Sequence, residues 1–299
     1  MQRRTELILG AVAYDPKVVT IWEGFQRYFD ERSLPFDFVL FTRYERQVES
    51  HLAGQIDVAW NSPLAWIETE RLAARAGRKA RAIAMRDTDR DLTSVIVVRE
   101  DSPIRTVEEL RGRRVAVGAA DSPQGRLIPL GFLARFGLEP GEDLSVVPHD
   151  LLVGKHGDHV GGEREAVRAL LAGRADAACL LDANLLQFAQ EGTLPAGSRR
   201  VLAQTPPYDH CNFTALDVAG PEKEELLTRF REELLAMSYD DARVRPLMDL
   251  EGLKRWLPAR TEGYEQLNRA VDRFGTIEAW LASASGAAGV PSPGDEVRA

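Results

Sequence analysis

The chain carries five histidines. Three of them, His149, His156 and His159, fall within eleven residues, and a fourth, His210, stands beside Cys211. Imidazole and carboxylate are ligands for zinc or iron. His156, Asp158 and His159 lie on the Gly-rich stretch Lys155–Glu163, which can wrap an ion, with His210 or Cys211 arriving from elsewhere in the chain. Two histidines and one carboxylate on iron leave coordination positions open for chemistry. The candidate metal set is therefore His156, Asp158, His159 and His210, and the ion would be iron or zinc. No cofactor is demanded by the rest of the sequence. The plain alternative is a polar loop whose histidines meet solvent or a ligand. Candidate catalytic groups are His156, His159, His210 and Cys211. A thiol nucleophile needs an activating base, and His210 is adjacent to Cys211, but neighbours on a strand point to opposite faces. No Ser/His/Asp order, Walker loop or dinucleotide fingerprint is present.

A second chemistry is the capture of an oxyanion at strand-to-helix turns. Helix starts present unpaired backbone N–H groups and a partial positive charge, which suit phosphate, sulfonate or carboxylate. In open α/β sheets such turns lie at the carboxyl ends of strands, where ligands bind. Tyr14-Asp15, Asn61-Ser62 and Ser122-Pro123-Gln124-Gly125 are turns of this kind, and Asp182 follows another strand. Arg43 and Tyr44 follow the second strand, where an arginine can clamp an oxyanion with two parallel hydrogen bonds. Tyr14 and Trp60 can wall the pocket; the competing readings are that these two are core, that Ser62 and Ser122 only cap their helices, and that Arg43 is solvated.

These residues need an alternating framework, and the sequence supplies one. Strands are predicted at Leu7–Ala13, Phe36–Phe41, Ile56–Trp60, Arg81–Met85, Thr93–Val98, Arg114–Gly118, Leu144–Val147 and Ala175–Leu181. Helices are predicted from Pro16 through Phe29, over Tyr44–Ala53 with a stop at Gly54, from Pro63, and from Ser122 to Gly137. Others are predicted over Glu163–Ala172 with a stop at Gly173, over Pro221–Met237 and over Thr261–Ser283. Thr106 and Glu109 make a capping-box pattern around a short helix. Residues 285–299, rich in small residues, Pro and Gly, read as a disordered tail. The strand–helix alternation predicts an α/β fold with mostly parallel sheets.

The bulk properties narrow the function. A length of 299 residues suits two compact units. A net charge of −8 argues against nucleic acid and anionic membrane surfaces as partners, though a local site can be positive within a negative whole. Two cysteines make no disulfide framework, and no stretch is long enough for membrane insertion. The start, Met1-Gln2-Arg3-Arg4, runs into a short apolar segment that reads as a core strand, not as an export signal. That predicts a cytoplasmic protein, or a periplasmic or extracellular one if the sequence is a mature form.

Three stretches together resemble one family. They are Gly54–Trp66; the run from Ser94 through Ser102-Pro103, Val107–Gly112, Arg114–Val117 and Ser122–Gly125; and Ala166-Val167, Leu170, Gly173 and Ala175–Ala178. In order, they resemble the phosphonate-type periplasmic solute-binding proteins of ABC transporters, over about Leu7 to Leu281. The resemblance implies a type II periplasmic-binding-protein fold: two α/β lobes, a ligand cleft and a two-strand hinge. It places 1–92 and 204–284 in lobe 1 and 93–203 in lobe 2, with closure around the ligand. It further implies that Ser62, Ser122 and nearby amides hold a small polar, anionic solute, and that an ABC permease is the partner if the protein is exported. One departure stands out: the family's Gly-Ser-His type of turn before the helix at Glu163 is replaced by the histidine-rich loop. The runner-up is therefore a cytosolic, metal-dependent enzyme on the same fold acting on a small metabolite. A third reading is a cytosolic sensor.

Overall fold

The structure, a computed structural model, describes residues 6–157, 161–217 and 220–276. Its strands are β1 (Leu7–Val12), β2 (Phe36–Phe41), β3 (Val58–Asn61), β4 (Ala80–Arg86), β5 (Ser94–Arg99), β6 (Arg114–Val117), β7 (Ser145–Pro148), β8 (Ala177–Leu181), β9 (Arg199–Gln204), β10 (Asn212–Leu216) and β11 (Trp256–Pro258). Its helices are α1 (Lys17–Asp30), α2 (Tyr44–Leu52), α3 (Pro63–Arg75), α4 (Ile128–Ala134), α5 (Glu163–Leu171), α6 (Asp182–Gln190), α7 (Pro221–Ala236), α8 (Arg245–Glu251) and α9 (Glu265–Phe274). The expected tail at 285–299 lies outside the described residues.

The strands form two sheets, ordered β11-β4-β10-β3-β1-β2 and β7-β6-β8-β5-β9. The first takes strands from both ends of the chain and the second only strands between Ser94 and Gln204. Both are mixed and not mostly parallel. β1 runs parallel to β2 and β3, and β6 parallel to β7 and β8, whereas β10 and β5 run antiparallel to both their neighbours. These two strands adjoin the crossings between the sheets, and a chain that crosses and returns must reverse direction. Where the crossings meet, Leu92 and Tyr208 exchange both backbone hydrogen bonds, at 2.9 and 2.8 Å. That pair is the two-strand hinge.

Each sheet buries its own core. Beside the first, α1 and α7 bring Trp22, Phe25, Phe29 and Phe230 against Phe36 and Phe213. In the second, the β-branched residues of β5 split by alternation: Ile96 and Val98 pack on one face, Val95 and Val97 on the other. A further apolar cluster joins the two halves. It packs Leu64 and Ile67 of α3 with Ile128 of α4 and with Leu267 and Val271 of α9, so α9 lies against both halves.

The sequence-based elements differ from these mainly beyond β8, where periodicity alone does not separate α6, β9, β10, α8 and β11. The segment from Ser122 enters α4 through a π-helical turn, Pro123–Leu127. At the short helix Glu108–Leu110, Glu109 accepts from the Thr106 amide at 3.2 Å, but no side chain caps the helix start. Only half of the capping box forms.

Candidate functional site

The carboxyl ends of β1, β2 and β3 meet those of β6, β7 and β8 across a gap filled by the loop 149–157. This loop follows β7 in the second sheet and bonds to the first half. The Tyr44 amide donates to the Gly154 carbonyl at 3.0 Å. Lys155 Nζ donates to the Ala13 carbonyl at 2.6 Å and to that of Thr42, the residues that follow β1 and β2. The next residue, His156, is buried: its ring stacks on Tyr44 with centroids 4.6 Å apart, and Nδ1 lies 2.7 Å from Ser62 Oγ.

The chemistry of that last contact follows from its partners. Ser62 Oγ already accepts from the Ala65 amide at 3.1 Å, as the N-cap of α3. Its hydroxyl proton is thus free to go to His156 Nδ1. Burial lowers the His156 pKa to about 4, with Glu45 pulling weakly the other way, so the ring is neutral and can accept. The loop is also pinned to its own half. Asp121 Oδ2 accepts from the Gly154 amide at 2.5 Å, and Gln124 Nε2 donates to the Gly157 carbonyl at 2.6 Å.

Two glycines make this packing feasible. Gly157 has φ +72°, and a Cβ there would stand 2.2 Å from Ser122 Oγ; Gly162 has φ +78°, and a Cβ would stand 2.0 Å from the His149 carbonyl oxygen. Ser122 is fully buried beneath Gly157 and caps its turn by accepting from the Gly125 amide at 3.0 Å. Both serines therefore cap helical starts, and Ser62 also reaches across the gap.

The other sequence-predicted residues fall as follows. Tyr14 is half-buried against the first core, and exposed Asp15 accepts from the Lys17 amide at 2.9 Å at the start of α1. Arg43 is exposed, with its Cβ 3.2 Å from where a Gly154 side chain would begin. Asn61 is committed to a buried network: it accepts from Gln47 at 2.8 Å and donates to Thr214 at 2.9 Å. Trp60 packs on Phe213, with centroids 4.6 Å apart. Gly125 approaches Glu163, whose Cγ would be 2.9 Å from a Cβ at that position. Asp182 accepts from Thr93 at 2.6 Å beside the crossing. Asp158 and His159 lie outside the described residues.

His156 and His210 do not share a cluster. His210 Nε2 lies 3.4 Å from Gln124 Oε1, while its Nδ1 lies 3.1 Å from Cys211 Sγ and 3.5 Å from Asp89 Oδ1. A relay needs the acid and the nucleophile on opposite ring nitrogens. Here both sit on Nδ1, so His210 is not arranged to pass a proton from Cys211 toward Asp89. Burial alone would raise the Asp89 carboxyl; Arg86, bonded to it at 2.5 and 2.9 Å, and His210 outweigh burial and hold it at about 2. Cys179 and Cys211 are both buried, form no disulfide with each other and belong to different cores.

Four carboxylates near the gap carry no sequence signal that sets them apart. Glu163 is fully buried; its Oε2 accepts from the Leu181 amide at 2.8 Å and from Asn184 at 2.7 Å, and its Oε1 has no partner. Burial raises its pKa. Glu45, Glu68 and Asp121 each also hold one buried oxygen without a hydrogen bond.

Two sheets, a hinge of two crossings and a loop-filled gap at the strand ends define the type II periplasmic-binding-protein fold. Residues 11–264 match the family model described as the phosphonate periplasmic substrate-binding protein of ABC transporters, and the chain belongs to that family. Among solved structures, the chain is similar to PhnD1 from Prochlorococcus marinus (MIT 9301) in complex with methylphosphonate, at 17% identity over 91% of this chain and 98% of that one, with TM-score 0.67. It is similar to the binding protein component of an ABC phosphonate transporter from Pseudomonas aeruginosa, at 12% identity over 94% and 99%, with TM-score 0.59. It is also similar to the periplasmic aliphatic sulphonate binding protein SsuA from Escherichia coli, at 19% identity over 91% and 87%, with TM-score 0.53. These likenesses establish the fold. Among the described residues, no helix is long and apolar enough to cross a membrane.

Proposed function

We propose that this protein binds one small oxyanion, of the phosphonate, phosphate or sulfonate class, between its two halves and delivers it to the permease of an ABC transporter. The observation that carries this reading is the contact of Ser62 with His156, because it joins the start of α3 in one half to the loop of the other where the strand ends converge. Helical starts of both halves, at Ser62 and Ser122, stand at the gap with their partial positive charge, and Lys155 and Arg43 add positive charge at its edge. The family match and the methylphosphonate held by the Prochlorococcus protein support this ligand class. A protein that delivers solute to a permease works outside the cytoplasmic membrane.

Native mass spectrometry of freshly purified protein, alone and with methylphosphonate, phosphate or methanesulfonate added, tests the proposal. The expected result is a single small-anion adduct per chain, lost on denaturation. The reading fails if no adduct forms with any of the three, or if anions add in a graded series without a preferred count of one.

A further inference from the structure

The gap presents a difficulty for an anion-binding protein, because four of the unsatisfied groups buried beside it, Glu45, Glu68, Asp121 and Glu163, are acids. Glu45 lies in the first turn of α2, on the first half; Asp121 and His156 follow β6 and β7, on the second. Each of the three offers one ligand atom, and these atoms all lie within 4.8 Å of one another. Glu45 Oε2 and Asp121 Oδ1 are buried without a hydrogen-bond partner. Asp121 is only 8% exposed and His156 1%. Both acids meet at Gly154: its amide donates to Asp121 Oδ2, and a Cβ on it would stand 3.8 Å from Glu45 Oε2.

A fourth group points the same way. Glu68 on α3 is 2% exposed, and its Oε2 also lacks a partner. Burial pushes its carboxyl well above the usual carboxylate range, and Glu45 and Asp121, both of its own sign, push it further. Unpaired buried carboxylates are costly unless a cation or protons join them.

We infer that Glu45, Asp121 and His156 form a site for a divalent first-row transition cation that bridges the two halves of the molecule. The donor set selects the ion. One imidazole with two carboxylates suits manganese, iron or zinc; magnesium and calcium prefer oxygen alone, and a site without thiolate does not favour soft ions. His156 Nδ1 is engaged by Ser62, which leaves Nε2 for the metal. On loading, the ring proton moves to Nδ1 and is donated to Ser62 Oγ, which orients the ligand as outer-shell partners do. Donors on one ion at bond lengths of about 2.0–2.2 Å sit about 3–3.5 Å apart. Binding therefore draws closer any pair of the three that now stands near the 4.8 Å limit, and because they come from both halves it tightens closure. This set differs from the one expected from sequence: it keeps His156, takes its carboxylates from Glu45 and Asp121, and leaves His210 with Asp89 and Cys211.

The test uses full-length protein without a histidine tag, stripped with EDTA and dialysed, then titrated calorimetrically with Zn²⁺ or Mn²⁺ and no oxyanion. The site predicts one ion per chain with a micromolar or tighter Kd for at least one metal. Glu45→Gln and Asp121→Asn should each weaken binding tenfold or more, and Cys211→Ser should leave it unchanged. Glu45 is only partly buried, so Glu45→Gln remains informative even if Asp121→Asn fails to fold. X-ray absorption at the zinc edge should show oxygen and nitrogen neighbours with one imidazole and no sulfur. The inference is overturned if neither ion binds more tightly than about 100 μM, about 5.5 kcal/mol. It is equally overturned if Glu45→Gln binds as wild type does, or if sulfur appears in the first shell. The metal is measured alone and the oxyanion can be measured in EDTA, so this inference and the proposed function can fail separately.

Discussion

His156 Nδ1 and Ser62 Oγ stand 2.7 Å apart, the histidine from the loop after β7 and the serine from the start of α3. One hydroxyl thereby caps a helix in one half and holds a buried imidazole from the other.

Ser62→Ala removes both contacts. Loss of the cap costs about 1 kcal/mol, and a buried ring nitrogen left unpaired costs about 1–3 kcal/mol more. We expect a total loss of about 2–4 kcal/mol in denaturant unfolding. Hydrogen exchange in the loop 149–157 should rise at the same time. A variant with wild-type stability and unchanged loop protection would show that the contact does not hold the halves together.

Gly162→Ala should be far more damaging than Gly173→Ala. Both glycines have positive φ, +78° and +72°, so either alanine carries a left-handed backbone cost of about 1–2 kcal/mol. A Cβ at 173 meets nothing within 4 Å, whereas one at 162 would stand 2.0 Å from the His149 carbonyl oxygen. That contact adds about 1–3 kcal/mol of overpacking and shifts the loop. Paired thermal melts check this, and equal losses at the two positions would contradict the packing described for the loop.

His51 gives the protein a built-in sensitivity to acid. It is 2% exposed on α2. Burial lowers its pKa from 6.5 to about 4, outweighing an opposing pull from the Asp57 backbone. The folded-state value is the depressed one, so its contribution to stability is fully present above pH 6.5 and is lost as pH falls toward 4. Between pH 8 and pH 5 this amounts to about 2 kcal/mol. His51→Leu should lose about that much less than wild type over the same interval. Parallel curves of stability against pH for the two proteins would refute the assignment.

The first two-thirds of the fold is legible in the sequence where its strands are apolar runs between turn residues, as in Leu7–Val12 and Ser94–Arg99. The return strands are harder to read. β10, Asn212-Phe213-Thr214-Ala215-Leu216, is wholly buried although two of its five residues are polar. Asn212 and Thr214 are satisfied by Tyr264 and Asn61, which no local pattern links to them. The candidate site divides in the same way. Ser62 and Ser122 announce themselves as caps before helical runs. Glu45 and Glu163 look like ordinary acids in the first turn of a helix, where the dipole favours them. Only tertiary packing, the arrival of Gly154 and Gly125 against them, shows that they are partly or wholly buried beside the gap.

Calorimetric titration of wild-type protein and Ser62→Ala with methylphosphonate, phosphate and methanesulfonate tests most directly whether the gap traps a solute. A solute-trapping gap gives one site per chain for at least one of them, with a Kd of about 10 μM or tighter, equivalent to about 7 kcal/mol, and a weaker constant in the variant. Trapping in the gap is contradicted if all three give no heat up to about 1 mM, about 4 kcal/mol, or if the variant binds as tightly as wild type.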